Sequence, residues 1–292
     1  MSKLVTHVAT GQTIGTRKRQ EDAVMAYAPQ NGDPAIAILS DGMGGHEDGD
    51  LAGRIIASEM FSELFVASAR HGAIKFHAGQ IFRDALHCAN GQLQHHMKAG
   101  RISENTGGTL VCATVTGGQL HWLSVGDSWL YLFRQGQLKP LNEIHSMASQ
   151  LDKMVECNQI DETTALTHPD RHCLTSAVTG REIPKVDCPE MGLDLEPHDI
   201  VILASDGIDV LGEAEICRQI KQTQSKSSEA IAAGLLDAIK NKADPDQDNS
   251  SVIAIKVASG EHVPAPGVSR LGRVFSLIGG MTRTRLAPAK VR

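Results

Sequence analysis

Two stretches of this chain constrain its fold more than any others. "PAIAILSDG" (34–42) and "DIVILASDG" (199–207) each carry five small or apolar residues straight into Ser-Asp-Gly. A run with no polar alternation reads as a strand covered on both faces. Each strand then ends on a bare carboxylate, Asp41 and Asp206, followed by glycine. Taken singly, an Asp-Gly pair is only a turn, because Asp tolerates unusual backbone angles and Gly supplies positive φ. Two buried strands with the same acidic ending ask for a further reason.

Other acids sit at comparable places. Asp248 precedes the last apolar run in "DQDNSSVIAIKV", Glu21 and Asp22 close "RKRQED", and Asp127 follows Gly126 at an expected hairpin turn. Acids at the rims of buried strands can converge at one end of a sheet stack. Clustered like charges repel unless something neutralises them, and divalent cations would do so. Carboxylates without cysteine, and with no histidine required, suit the oxygen-preferring Mg²⁺ or Mn²⁺. The glycines would then let a main-chain carbonyl reach the metal and leave room for a substrate. Gly42-Met43-Gly44-Gly45 is not a dinucleotide loop, since the sixth position is Glu47, and no Gly-Lys-Ser/Thr follows. Arg17 lies five residues before Asp22; beside a metal cluster an arginine is a natural bidentate ligand for phosphate.

Between these points the pattern gives strands and helices in blocks. The opening 27 residues read as two short strands around a Gly-rich turn. Ala52, Ile56, Met60 and Leu64 mark a helix over 51–69, and Phe82, Leu86, Ala89 and Leu93 another that ends near Gly100. Residues 106–141 read as an antiparallel meander punctuated at Gly117-Gly118, Gly126-Asp127 and Gln135-Gly136. A helix is expected around 146–157, an irregular polar stretch over 158–190, then helices at 213–222 and 228–241. Blocks rather than strict alternation define an α+β class with largely antiparallel sheets.

Composition excludes several functions. Aromatics are 3% of the 292 residues and the net charge is −6, so neither base-stacking platforms nor a basic nucleic-acid surface is expected. The start "MSKLVTHVATGQ" lacks the apolar segment of a secretion signal, and no run nears the roughly 20 apolar residues of a membrane span. With six scattered cysteines, this points to a cytoplasmic protein with reduced thiols. His168 and His172 stand four apart, but Pro169 between them argues for a surface loop over a zinc pair.

The ordered set Arg17–Asp22, Asp41–Gly45, Gly107-Gly108-Thr109, Gly126-Asp127-Ser128, Ser205-Asp206-Gly207 and Asp248-Asn249 resembles the type-2C metal-dependent protein serine/threonine phosphatases, over about residues 5–257. The resemblance implies a four-layer αββα sandwich, two antiparallel sheets flanked by helices, with a binuclear Mn²⁺/Mg²⁺ centre at one end. Asp41 would bridge both ions, Asp206 and Asp248 would complete one, and Glu21 with the Gly42 carbonyl would serve the other. Asp22 would support Glu21 as a further acid of the metal set. Asp127 with Asp206 would form a weaker third-ion site, and Arg17 would clamp the phosphate. A water shared by the two ions would hydrolyse phosphoserine or phosphothreonine in proteins without a phosphoenzyme, in opposition to a kinase. A catalytically silent phosphoprotein-binding regulator and a two-metal hydrolase of another phosphomonoester are the alternatives. Three positions depart from the family pattern: Met43 where some members carry a proton-donating histidine, with His46 nearby, and Trp129 and Ser176 where arginines are common. The catalytic domain is expected over 1–258. A basic tail over 259–292 would follow, its Val268, Leu271, Phe275 and Ile278 stripe suited to a partner or a membrane surface.

Overall fold

The computed structural model describes residues 4–30, 32–44, 48–70 and 73–260. The expected tail stripe and His46 lie outside these residues. Eleven strands and six helices follow in chain order among the described residues. Strands β1 (Leu4–Thr13), β2 (Asp22–Tyr27) and β3 (Ala35–Met43) lead into helices α1 (Gly49–Ser68) and α2 (Ala73–Lys98). Next come β4 (Gly107–Gly108), β5 (Leu110–Thr116), β6 (Gln119–Val125), β7 (Trp129–Arg134) and β8 (Gln137–Pro140). Helices α3 (Met147–Glu156) and α4 (Glu162–Leu166) precede β9 (Leu193–Asp194) and β10 (Ile200–Ala204). Helices α5 (Gly212–Thr223) and α6 (Ser228–Lys242) and strand β11 (Ser250–Ser259) complete the order.

The strands form two antiparallel sheets, ordered β1-β11-β10-β7-β8 and β2-β3-β5-β6-β9, with β4 paired to β3. Side-chain alternation explains why the central strands are apolar on both faces. In β3, Ala35, Ala37 and Leu39 enter the core between the sheets, while Ile36 and Ile38 face α1 and α2. In β10, Val201 and Leu203 point to the same inter-sheet core, while Ile200 and Ile202 pack with α5 and α6. Each sheet is thus covered by its partner on one side and a helix pair on the other, the expected four-layer αββα arrangement.

Antiparallel pairing then gathers the acids at one end. Asp22 at the start of β2 stands opposite Asp41 near the end of β3, and Leu110 at the start of β5 opposite Val125 at the end of β6. Thr13 ends β1 opposite Ser250, which starts β11, and Ala204 ends β10 opposite Val252. The segments carrying Glu21, Asp41, Asp127, Asp206 and Asp248 therefore leave the sheets at the same end.

Two local expectations need correction. Gly117-Gly118 and Gln135-Gly136 do turn hairpins, β5–β6 and β7–β8. Gly126-Asp127 does not: β6 and β7 belong to different sheets, so this segment crosses between layers. Likewise β1 pairs with β11 and β2 with β3, so the Gly-rich stretch between β1 and β2 is a second crossing. Apolar periodicity marks each strand but not which neighbour it pairs with. The 158–190 region is less irregular than expected, since it holds α4, is stitched to the sheets by bridges Gly108–Val178 and Ser124–Asp187, and meets the start of α3 through Ser146–Leu174.

Leu203, fully buried between the sheets opposite Ile253 and Leu130, gives a direct test of this packing. Leu203→Ala is expected to lower unfolding stability by about 2–5 kcal/mol in urea titration; a loss below ~1 kcal/mol would contradict the layering.

Candidate metal centre

Main-chain hydrogen bonds fix the acidic end before any side chain is considered. The N–H of Asp41 donates to Thr109 Oγ1 (3.1 Å), and the N–H of Thr109 donates to the Asp41 carbonyl (2.8 Å). The N–H of Gly42 donates to the Glu21 carbonyl (3.2 Å), and the N–H of Glu21 donates to Asn249 Oδ1 (2.8 Å). Asn249 in turn donates through Nδ2 to the carbonyls of Ile14 and Arg19, both at 2.9 Å. One buried amide thus ties the start of β11 to the β1–β2 crossing.

Glycines permit the closest approaches. A Cβ on Gly49, the first residue of α1, would collide with Glu21 Oε2 and touch the Gly42 carbonyl oxygen at 3.2 Å. The Glu21 carboxylate and the Gly42 carbonyl therefore meet at the start of α1. A Cβ on Gly42 would collide with the Gly49 carbonyl.

Arg17, Glu21, Asp41, Gly42, Asp127, Asp206 and Asp248 all line one cleft of ≈ 1280 Å³. Asp22 does not: it lies buried behind Asp41, where the hydroxyls of Ser205 (2.9 Å) and Ser251 (2.6 Å) donate to its Oδ2. Arg17 Nη2 binds Asp248 Oδ2 at 2.7 Å. Among the described residues, no three His, Cys, Asp or Glu side chains surround a single point.

The electrostatics show the strain of this gathering. Burial first, then the charges of Asp22, Asp206, Asp127 and Asp248, push the Asp41 carboxyl well above the ordinary range. Burial and Asp206 raise Asp127 to about 7. Burial raises Asp22 to about 6 despite its two serine donors. Asp206 is raised by burial and Asp248, and Glu21 by burial, Asp50 and Asp248. Asp206 Oδ1 and Asp22 Oδ1 are buried without a hydrogen-bond partner. The orphaned Asp206 oxygen, the raised carboxyls of Glu21, Asp41 and Asp127 on the same cleft and the Gly42 carbonyl beside Glu21 are oxygen donors of the kind that suits hard divalent cations.

The departures from the family pattern have local consequences. Met43 lines the cleft and has no proton to donate. Trp129 Nε1 donates to Asp209 Oδ1 (2.7 Å), and its ring stacks on Tyr131. The Ser176 hydroxyl donates to the Lys185 carbonyl (2.7 Å) and accepts from its N–H (3.1 Å), which closes a loop beside the cleft. His168 Nδ1 accepts from the N–H of Asp170, the surface turn expected of the His168/His172 pair.

Several supporting residues were not singled out by sequence reasoning. Thr109 bonds Ser128 (2.7 Å) as well as Asp41, so it links the two motifs that carry Asp41 and Asp127. His145 Nδ1 accepts from the N–H of Gly126 (3.2 Å); burial pushes this histidine down, which favours the neutral ring that can accept. Thr109, Ser128, Ser205 and Asn249 stood inside the recognised motifs and could have been found there; His145 carried no signal.

The four-layer αββα sandwich brings a cluster of acids to one end, the class of architecture that the sequence resemblance implies. The fold resembles the crystal structure of the Mycobacterium tuberculosis serine/threonine phosphatase PstP/Ppp, with TM-score 0.69 at 23% identity over 86% of this chain and 98% of that one. It also resembles the catalytic domain of PstP in complex with two manganese ions, with TM-score 0.68 at 23% identity over 87% and 99%. By sequence it is 29% identical to the serine/threonine phosphatase stp of Listeria welshimeri over 218 residues, 73% of this chain and 82% of that protein. The family model for protein phosphatase 2C matches residues 12–240, and the chain belongs to that family of protein serine/threonine phosphatases. No helix among the described residues is long and apolar enough to cross a membrane.

The raised acids give a signed expectation. A carboxyl whose folded-state pKa is raised binds more protons folded than unfolded between roughly pH 4 and 7, so its contribution is present at low pH and lost as pH rises. In EDTA the protein should therefore melt at a lower temperature at pH 8 than at pH 5.5, and excess Mn²⁺ should abolish most of that difference. Thermal unfolding at the two pH values checks this; a higher melting temperature at pH 8 in EDTA would contradict it.

Proposed function

We propose that this protein hydrolyses phosphoserine and phosphothreonine in proteins at a binuclear Mn²⁺ or Mg²⁺ centre held by Glu21, Asp41, the Gly42 carbonyl, Asp206 and Asp248. The observation that carries the reading is the set of mutually raised, partly orphaned carboxyls on one cleft. Bound there, the ions would supply positive charge and a water acidified to near neutrality. Asp41, which feels the charges of Asp22, Asp206, Asp127 and Asp248, would serve both ions. Asp206 and Asp248 would hold one ion, and Glu21 with Gly42 the other. Asp127 and Asp206 would take a weaker third ion. Asp22, outside the cleft and bonded to Ser205 and Ser251, would serve the centre only as a buried supporting acid. Arg17, on the cleft rim, would leave Asp248 and grip two phosphate oxygens in its planar fork. Bringing cationic groups to those oxygens stabilises the charge that spreads over them in the transition state. No side chain is asked to form a covalent phosphoenzyme.

The relatives are bacterial, and phosphoproteins made by an opposing serine/threonine kinase are the proposed substrates in the cytoplasm. The catalytic domain is proposed to span 1–258, with the basic 259–292 segment as an appendage. The test is turnover of a phosphothreonine peptide with Mn²⁺, with EDTA, and by Asp41→Asn and Asp206→Asn. Activity should require metal and fall about 100-fold or more in each variant. Full activity in EDTA would refute the mechanism, metal-dependent turnover of small phosphomonoesters alone would favour the other hydrolase, and no turnover with intact peptide binding would favour a silent regulator.

A further inference from the structure

Arg181 is an exposed arginine whose main chain is held with unusual care. Gly180 before it has φ +70°, and its backbone lies so close to α2 that a Cβ would sit 3.0 Å from Gln94 Cα. Two α2 side chains make three bonds to this turn. Asn90 Oδ1 accepts from the Gly180 N–H (2.8 Å), Gln94 Nε2 donates to the Gly180 carbonyl (2.9 Å), and Asn90 Nδ2 donates to the Arg181 carbonyl (2.7 Å). Two residues earlier, Val178 pairs with Gly108 through two main-chain bonds, and Gly108 pairs with Gly42. The turn is therefore anchored both to the outer helix layer and to the sheet edge that carries the acids.

The side chain is held loosely by comparison. The guanidinium meets one main-chain carbonyl, that of Glu104 at 3.3 Å, and makes no ion pair among the described residues. It lines the same cleft as Arg17, Lys18 and Asp41. The cleft is mixed in charge: Arg17, Lys18, Arg19 and Arg181 line it together with Glu182 and the acids of the centre, and Arg17 already pairs with Asp248. A fixed backbone with an unpaired charge facing a binding cleft is the arrangement expected of a group that waits for an external anion.

We infer that Arg181 is a specificity-determining residue, held by Asn90 and Gln94, that reads a second anion on the substrate chain beside the phosphorylated residue. The inference rests on the proposed phosphatase activity. Guanidinium geometry suits a carboxylate and a phosphate equally, so an acidic side chain and a second phosphoresidue are the two sources of that anion. Lys18, exposed on the same cleft, adds long-range attraction without fixing geometry.

The experiment measures kcat/KM with Mn²⁺ on four phosphothreonine peptides, whose neighbouring residue is neutral, acidic, a second phosphoresidue or lysine. The wild type is expected to prefer an anionic neighbour about fivefold over the neutral one, through KM, as for an exposed ion pair. Arg181→Gln should bring that ratio close to one, and Arg181→Lys should retain part of it. Asn90→Ala, which changes a residue outside the cleft, should reduce the same ratio by loosening the turn. Preference for both anionic peptides identifies any anion as the ligand, and preference for the doubly phosphorylated peptide alone identifies a second phosphate. A ratio unchanged in Arg181→Gln, or a wild type indifferent to the neighbour, overturns the inference while the phosphatase reading stands. A wild type that turns over none of the four overturns both.

Discussion

The acidic end of this molecule is held together against its own charge. Two like charges 4 Å apart at an effective dielectric of 20 repel by about 4 kcal/mol, and Asp41 faces four acidic neighbours. The sheets resist this because the carboxylates stand on or just beyond strands whose pairing is set elsewhere. Ile36 to Leu39 of β3 pair with both β2 and β5, and their side chains fill two cores. Moving Asp41 outward would mean breaking that ladder or exposing those side chains. The repulsion is instead offset locally, by Arg17 on Asp248 and by the serine hydroxyls that donate to Asp22.

Helix α1 contributes to the same balance. Its first turn, from Gly49, lies against the Glu21 carboxylate, and the partial positive charge of a helix N-terminus favours an acid there. Asp50 in the same turn opposes this by raising Glu21. Backbone geometry, not net attraction, thus decides where Glu21 sits: the Asn249 amide holds its N–H and the Gly42 N–H holds its carbonyl.

Much of this was legible in the sequence because burial writes itself into composition. The continuous apolar runs of β3 and β10 announced strands covered on both sides, and the helical stripes of α1 and α2 placed one outer layer. Strand pairing was not legible: Gly126-Asp127 looks like a hairpin turn, yet Leu120 and Trp122 on β6 and Leu130 and Leu132 on β7 enter the inter-sheet core from opposite sides. Nothing in a one-dimensional apolar pattern separates a turn within a sheet from a step between two. The acids were found through their motifs, whereas Asn90, Gln94 and His145 act through one or two hydrogen bonds each to main chain distant in sequence, and such bonds leave no periodic trace.

Arg17 shows how weak an interaction can be and still matter. Its bond to Asp248 is short, but the two side chains are 57% and 39% exposed. An ion pair that open to water contributes about 0–1 kcal/mol, because solvent screens it and holding both side chains costs entropy. Releasing Arg17 is therefore cheap, and the released guanidinium stays tethered to a crossing whose Thr16 is anchored by its N–H and hydroxyl to the Gln247 carbonyl, at 2.9 and 3.0 Å. A charge that is fixed at its root and loosely held at its tip can exchange an internal carboxylate for a phosphate with little reorganisation. The same division between fixed main chain and unspent side chain recurs at Arg181, so the two arginines bring one design to different segments of a single cleft.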